Sequence, residues 1–199
     1  VFLKQKFGLY SILFLIAGVI VALDQWTKWL VRTYLPYTGT WLPSGLEWLA
    51  PYARIVHWYN SGAAFGMFQN GSYIFMALAF IVIGVILYFY AHVDANDWFL
   101  RIAMAMQLAG AAGNLIDRLI LSGKVTDFIS IGTFPVFNVA DASISVGTAV
   151  LLVGIWWRER EEKRQLSVNS DQLSVNSDQL SVSDDQPSGN IESLDSKSS

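Results

Sequence analysis

The chain has no cysteine, two histidines, five prolines and few charges: 15% of its 199 residues are Asp, Glu, Lys or Arg. Without cysteine there is no disulfide, no thiolate nucleophile and no cysteine-based metal site, and the redox compartment stays open. Neither His57 nor His92 sits in a zinc-ligand spacing, so no metal is expected, and nothing in the sequence calls for a cofactor. No basic stripe with interleaved aromatics occurs, so nucleic acid is not an expected partner. The serines form no GxSxG elbow or Ser-Lys arrangement. The glycine-rich pieces NSGAAFG and LAGAAG match neither a phosphate loop nor a dinucleotide fingerprint.

What the chain has is apolar surface: 53% of residues are hydrophobic and 14% aromatic, which places it among compact membrane proteins. The formal net charge of −3 averages two different regions. Residues 1–164 carry 12 Lys/Arg and 10 Asp/Glu, whereas residues 165–199 carry one and six, giving +2 and −5. That step divides a membrane-embedded domain, 1–164, from an acidic tail, 165–199. The tail opens with the repeat QLSVNSD, QLSVNSD, QLSVSDD. Its leucine and valine lie two apart and cannot form the a/d seam of a coiled coil. A disordered, cytoplasmic tail is expected.

Four uncharged stretches run from Phe7 to Leu23, Gly71 to Ala91, Ile102 to Ile116 and Ala142 to Trp157. A transmembrane helix needs about 20 residues, and only the second stretch reaches that unaided. The others are completed by polar residues: Asp24 and Lys28 after the first, Asn114, Asp117 and Arg118 at the end of the third, Asp141 at the opening of the fourth. The first stretch follows Lys4 and Lys6 as a secretory signal would, but it lacks a small-residue cleavage site and is read as a retained span. The chain begins at Val1, so its true start is not fixed by the sequence. Successive spans alternate direction, which brings every polar exception to one side of the membrane. The other side receives Lys4, Lys6, the link from His92 to Arg101, and Arg158, Arg160, Lys163 and Arg164. Lys/Arg enrichment marks that side as cytoplasmic, with both termini there and the polar set extracytoplasmic. His57 and His92 then fall on opposite sides.

The expected fold is an all-α membrane protein of four transmembrane helices with a small extracytoplasmic loop subdomain. That subdomain, within residues 31–70, is expected to hold short strands or an interfacial helix, with Pro36, Pro43 and Pro51 separating aromatic stretches. Trp41 and Trp48 are candidate contacts of an access segment over the polar set, or anchors in the lipid interface. In the third span, Gly110 and Gly113 permit close helix approach or shape the wall of a site.

Asp127 and Asp141 bracket the segment FISIGTFPVFNVA at the entrance to the last span. Carboxylates at a bilayer boundary are costly, which makes a functional site the first hypothesis. Pro135 can turn the intervening chain so that both face one cavity. Two such acids share a proton, and one then activates water while the other polarises a carbonyl. The same acids could also relay protons or ions, an alternative that pattern alone leaves open.

Five pieces carry a resemblance: DQWTKW at 24–29, NSGAAFG at 60–66, GAAGNLIDR at 110–118, VTDF at 125–128 and FNVADASI at 137–144. In this order and with this span placement, the chain resembles the bacterial lipoprotein signal peptidases, or signal peptidases II. The resemblance implies a membrane aspartic endopeptidase with Asp127 and Asp141 as its catalytic pair. It carries substrate-binding or supporting roles to Asp24, Lys28, Asn60, Asn114, Arg118 and Asn138. Asp117 lies within a family motif and is read as structural, paired with Arg118 or a helix end. The implied substrate is a prolipoprotein with a diacylglyceryl-modified cysteine, met in the bacterial inner membrane among its lipids by a monomeric, multi-pass enzyme. The family pattern gives the acidic repeat no function.

Overall fold

The computed structural model describes residues 2–62 and 71–184. It contains α1 (Phe2–Tyr34), β1 (Thr40–Trp41), a single 3-10 turn (Glu47–Leu49), β2 (Ala53–Asn60), α2 (Ser72–Tyr90), α3 (Trp98–Ile120), β3 (Val125–Ile131) and α4 (Val139–Asp184). Four helices are long and apolar enough to cross a membrane, with candidate spans Tyr10–Tyr34, Ser72–Tyr90, Trp98–Ile120 and Val139–Ser170. The protein is therefore an all-helical membrane protein carrying a small three-stranded sheet. α1 and α3 extend past their uncharged runs because the polar residues that end those runs, Asp24, Lys28 and Asp117, are satisfied inside the protein, whereas α2 stays within its run.

α3 is the central helix: half of its apolar window is buried, against 6% for α2. Small residues make that possible. A side chain at Gly110 would run into Ile144 and the Ala140 carbonyl of α4, and one at Gly113 would lie 2.7 Å from Asp24 Oδ2 and 3.1 Å from Ala140 Cβ. α1 runs parallel to α3, while α2 and α4 run antiparallel to it. Leu13, Ala17, Ile86, Tyr90, Ala105, Leu108 and Ala109 form the apolar core between α1, α2 and α3. The outward residues, such as Phe14, Leu15, Val19, Phe80 and Ile81, are exposed and apolar, as lipid-facing surface must be.

At the end of the bundle where α1 and α3 finish, the sheet runs in the order β1-β2-β3, antiparallel throughout. Strands within 31–70 match the expectation, but the third strand comes from the link after α3, far away in sequence. The turn into β3 uses Gly123 at φ +90°, where a side chain would strike Ser72. Ser72 Oγ donates there to the Gly123 carbonyl at 2.8 Å and to the Ser61 carbonyl at 3.2 Å, tying the starts of α2 and β3 to the end of β2.

Two compact units are distinguished, residues 1–154 and 155–199. This division falls before the charge step at 164–165. α4 is described as far as Asp184. The run REREEKRQL from Arg158 to Leu166 consists of strong helix formers, with Glu159 and Lys163 at i, i+4, and residues 155–170 are all exposed. Residues 185–199 of the expected tail and residues 63–66 of NSGAAFG lie outside the described residues.

Candidate active site

Asp141 owes its position to the start of α4. Asn138 is the N-cap: its Oδ1 accepts from the Asp141 backbone N–H at 2.9 Å, while Asp141 Oδ2 accepts from the Asn138 N–H at 3.3 Å. This reciprocal pair is a capping box, and it turns the Asp141 carboxylate back toward the helix entrance. A second carboxylate serves the same helix end from outside, as Asp24 Oδ1 accepts from the Ala140 N–H at 2.9 Å.

Asp127 lies on β3 opposite Trp58, with Asn60 opposite Val125. Asn60 is thus the diagonal cross-strand neighbour of Asp127 on one face of the sheet. Asn60 Nδ2 donates to Asp127 Oδ2 at 3.1 Å, and Asn138 Nδ2 donates to Asp127 Oδ1 at 2.7 Å. On the other acid, Asn114 Nδ2 donates to Asp141 Oδ1 at 2.7 Å. Each of the four carboxylate oxygens therefore accepts one bond from a neutral amide. Asn114 Oδ1 in turn accepts from Lys28 Nζ and from Asn138 Nδ2, both at 3.1 Å.

Lys28 is fully buried and pairs with Asp24 at 2.9 Å and Asp117 at 3.6 Å. Both side chains of the Asp24–Lys28 pair are buried inside the protein. Asp117 does not pair with Arg118. Its partners are Lys28, Arg32 at 3.3 Å, Gln25 at 3.2 Å and the Thr126 N–H at 2.8 Å. Adjacent helical residues point in different directions, which sends Arg118 into the cavity instead.

Asp127 and Asp141 line one cavity of about 570 Å³ with Asn60, Asn114 and Arg118, walled by Phe75, Val125, Phe134, Pro135, Val136, Phe137 and Ile144. The Arg118 guanidinium lies over the Phe75 ring, 5.3 Å from its centroid, and its buried Nε has no partner. Burial, then the charge of Asp141, pushes Asp127 up to about 7, against the hydrogen bonds of Asn138 and Asn60 and the charge of Lys28. A carboxyl group so poised can hold or release a proton near neutrality.

Every polar residue proposed from the sequence thus meets in one network, but the two tryptophans do not. Trp48 is exposed on the 3-10 turn, and Trp41 lines a separate groove with Thr27, Leu30, Val31, Tyr34, Leu35, Ile55 and Phe128. His57 is also outside the cavity, its Nδ1 2.8 Å from the Leu35 carbonyl and its ring against Tyr37 and Tyr59. Sequence reasoning gave no site role to Gln25, Arg32 or Thr126. Gln25 Nε2 donates to Asp24, to the Gly113 carbonyl and to Asp117, binding α1 to α3. For Arg32 a signal existed: 24, 28 and 32 are spaced by four and lie along one side of a helix.

A family model described as Signal peptidase (SPase) II matches residues 16–157. The lipoprotein signal peptidase of Shouchella clausii is 40% identical over 152 residues, 76% of this chain and 97% of that protein. Its counterpart in Symbiobacterium thermophilum is 37% identical over 150 residues, 73% of this chain and 95% of that protein. A solved bacterial membrane enzyme, determined by the in meso method at 2.3 Å resolution, superposes with a TM-score of 0.66 at 29% identity, covering 73% of this chain and 88% of its own.

Proposed function

Since the chain belongs to the signal peptidase II family, whose activity is removal of signal peptides from lipoproteins in the membrane, we propose that Asp127 and Asp141 are its catalytic pair. The observation that carries this reading is the shared cavity, in which both carboxylates are held oxygen by oxygen by Asn60, Asn114 and Asn138. The substrate is a prolipoprotein whose signal peptide ends before a diacylglyceryl-cysteine. Its acyl chains stay in lipid while the peptide enters the cavity from the membrane plane.

With one proton on the pair, the ionised carboxylate takes a proton from water as the water oxygen attacks the carbonyl carbon preceding the modified cysteine. The protonated carboxyl hydrogen-bonds to the carbonyl oxygen as negative charge develops there. Collapse breaks the C–N bond, and the leaving nitrogen takes its proton from the pair. A new carboxyl end on the signal peptide and a free diacylglyceryl-cysteine amino terminus result, with no covalent intermediate.

Arg118, which lines the cavity, binds a substrate carbonyl. Asp24, Lys28 and Asp117 support the pair from behind, Lys28 by orienting Asn114 and Asp24 by holding the start of α4. Residues 1–164 form the catalytic unit and residues 165–199 are dispensable for turnover. The termini lie in the cytoplasm and the pair faces the outside of the inner membrane, a reading supported by the Lys/Arg enrichment of the sequence at Lys4, Lys6, Arg158, Arg160, Lys163 and Arg164. One copy suffices, because a single chain supplies every residue of the site.

Incubating the purified protein with a lipid-modified prolipoprotein and sequencing both products by mass spectrometry tests the proposal. Cleavage immediately before the modified cysteine is expected, with little turnover of the unmodified precursor. Equal cleavage of both precursors, or cleavage elsewhere, would reject this substrate.

A further inference from the structure

Thr126 precedes Asp127 on β3 and is fully buried, yet it does not line the cavity. It is gripped from two sides. Its backbone N–H donates to Asp117 Oδ2 at 2.8 Å, and its hydroxyl accepts from Arg32 Nη1 at 3.0 Å. The same Arg32 nitrogen donates to Asp117 Oδ1 at 3.3 Å, so Arg32, Asp117 and Thr126 close a ring. That ring joins the last turns of α1 and α3 to the residue next to Asp127.

The sheet alone holds this part of β3 weakly. β2 spends three steps from Ile55 to Trp58 where β3 spends two from Ile129 to Asp127, so the ladder is bulged beside the carboxylate. A bulge leaves a residue unpaired and bends the strand. The side-chain partners of Asp127 are neutral amides, which orient its oxygens without fixing the backbone that carries it. Arg32, by contrast, is charged, has a planar fork suited to bridging acceptors, and sits on a membrane helix.

We infer that Arg32 is a positioning residue for the reaction: acting through Thr126 and Asp117, it fixes where β3 presents Asp127 to Asp141. This rests on the reading of Asp127 and Asp141 as the catalytic pair. Arg32 is not needed to neutralise Asp117, which keeps Lys28 at 3.6 Å and Gln25 at 3.2 Å when Arg32 is removed. Its loss therefore leaves no isolated buried charge, and the protein is expected to fold. Because Arg32 and Thr126 lie outside the cavity, substrate binding is expected to be spared.

Steady-state cleavage of a lipid-modified prolipoprotein by Arg32→Ala, Arg32→Lys, Thr126→Val, the Arg32→Ala/Thr126→Val double variant and Asp127→Asn tests this, with thermal unfolding of each. Displacing a reacting group by about 1 Å costs up to ~100-fold, so kcat is expected to fall about 10- to 100-fold in Arg32→Ala and Thr126→Val at nearly unchanged KM. The double variant should be no slower than the slower single one, because both break one ring, and Arg32→Lys should recover part of the loss. A kcat within about twofold of wild type in folded Arg32→Ala or Thr126→Val, losses that multiply in the double variant, or a change confined to KM would overturn it. Activity in Asp127→Asn sinks the catalytic pair itself. An inactive Asp127→Asn beside unimpaired Arg32 and Thr126 variants sinks only the positioning role.

Discussion

Asn138 works on two structures at once, capping α4 through Asp141 and holding Asp127 through its amide. Replacing it with alanine should cost about 1–2 kcal/mol from the lost cap, read as a lowered unfolding temperature, and should reduce kcat as well. A variant that loses stability but keeps full kcat would separate the two roles. Asp127 ties stability to pH. Its native pKa of about 7 stands above the ordinary carboxyl value of 3.8, so the folded protein holds a proton between these values that the unfolded chain has released. That contribution is complete at low pH and is lost as pH rises toward 7 and beyond. The unfolding temperature of Asp127→Asn should match wild type near pH 4 and exceed it at pH 8; the opposite order would contradict the assignment. Turnover should decline above about pH 7 as the pair loses its shared proton. At this scale the sequence was informative because charge inside an apolar run has few innocent explanations. It did not identify the partners of Asp117, since adjacency to Arg118 in sequence is not adjacency on a helix.

The four helices were legible as uncharged runs, and the true lengths of α1 and α3 were not, because Asp24, Lys28, Arg32 and Asp117 are neutralised by one another across those two helices. β3 was less visible. VTDFISI pairs with a strand that precedes it by two membrane spans, and no local pattern reports so distant a partner. Gly113 links helix packing to the site, since a methyl group there meets Asp24 and Ala140 together. Gly113→Ala should destabilise by about 1–3 kcal/mol through overpacking and should loosen the start of α4. An unfolding temperature equal to wild type would show that α1 and α4 yield freely at this point.

Within residues 1–154, the chemistry sits at the end of the helices where α1 and α3 finish, beside the sheet. The absence of cysteine makes the proposed orientation directly measurable, because single cysteines have no background. Gly45→Cys should react with a membrane-impermeant maleimide from outside the cell and Asn96→Cys only after permeabilisation; the reverse pattern would invert the topology. A chain ending at residue 164 should keep kcat/KM, and a large loss would give the repeat a part in turnover. The central claim is that Asp127 and Asp141 act as one unit on a water molecule. Single-turnover cleavage of a lipid-modified prolipoprotein by Asp127→Asn, Asp141→Asn and the double variant tests it most directly, with unfolding temperature and substrate binding measured on each. The account predicts folded variants that bind substrate, a loss of about 10³-fold or more in each single variant, and no further loss in the double. Near wild-type cleavage by either single variant would contradict it.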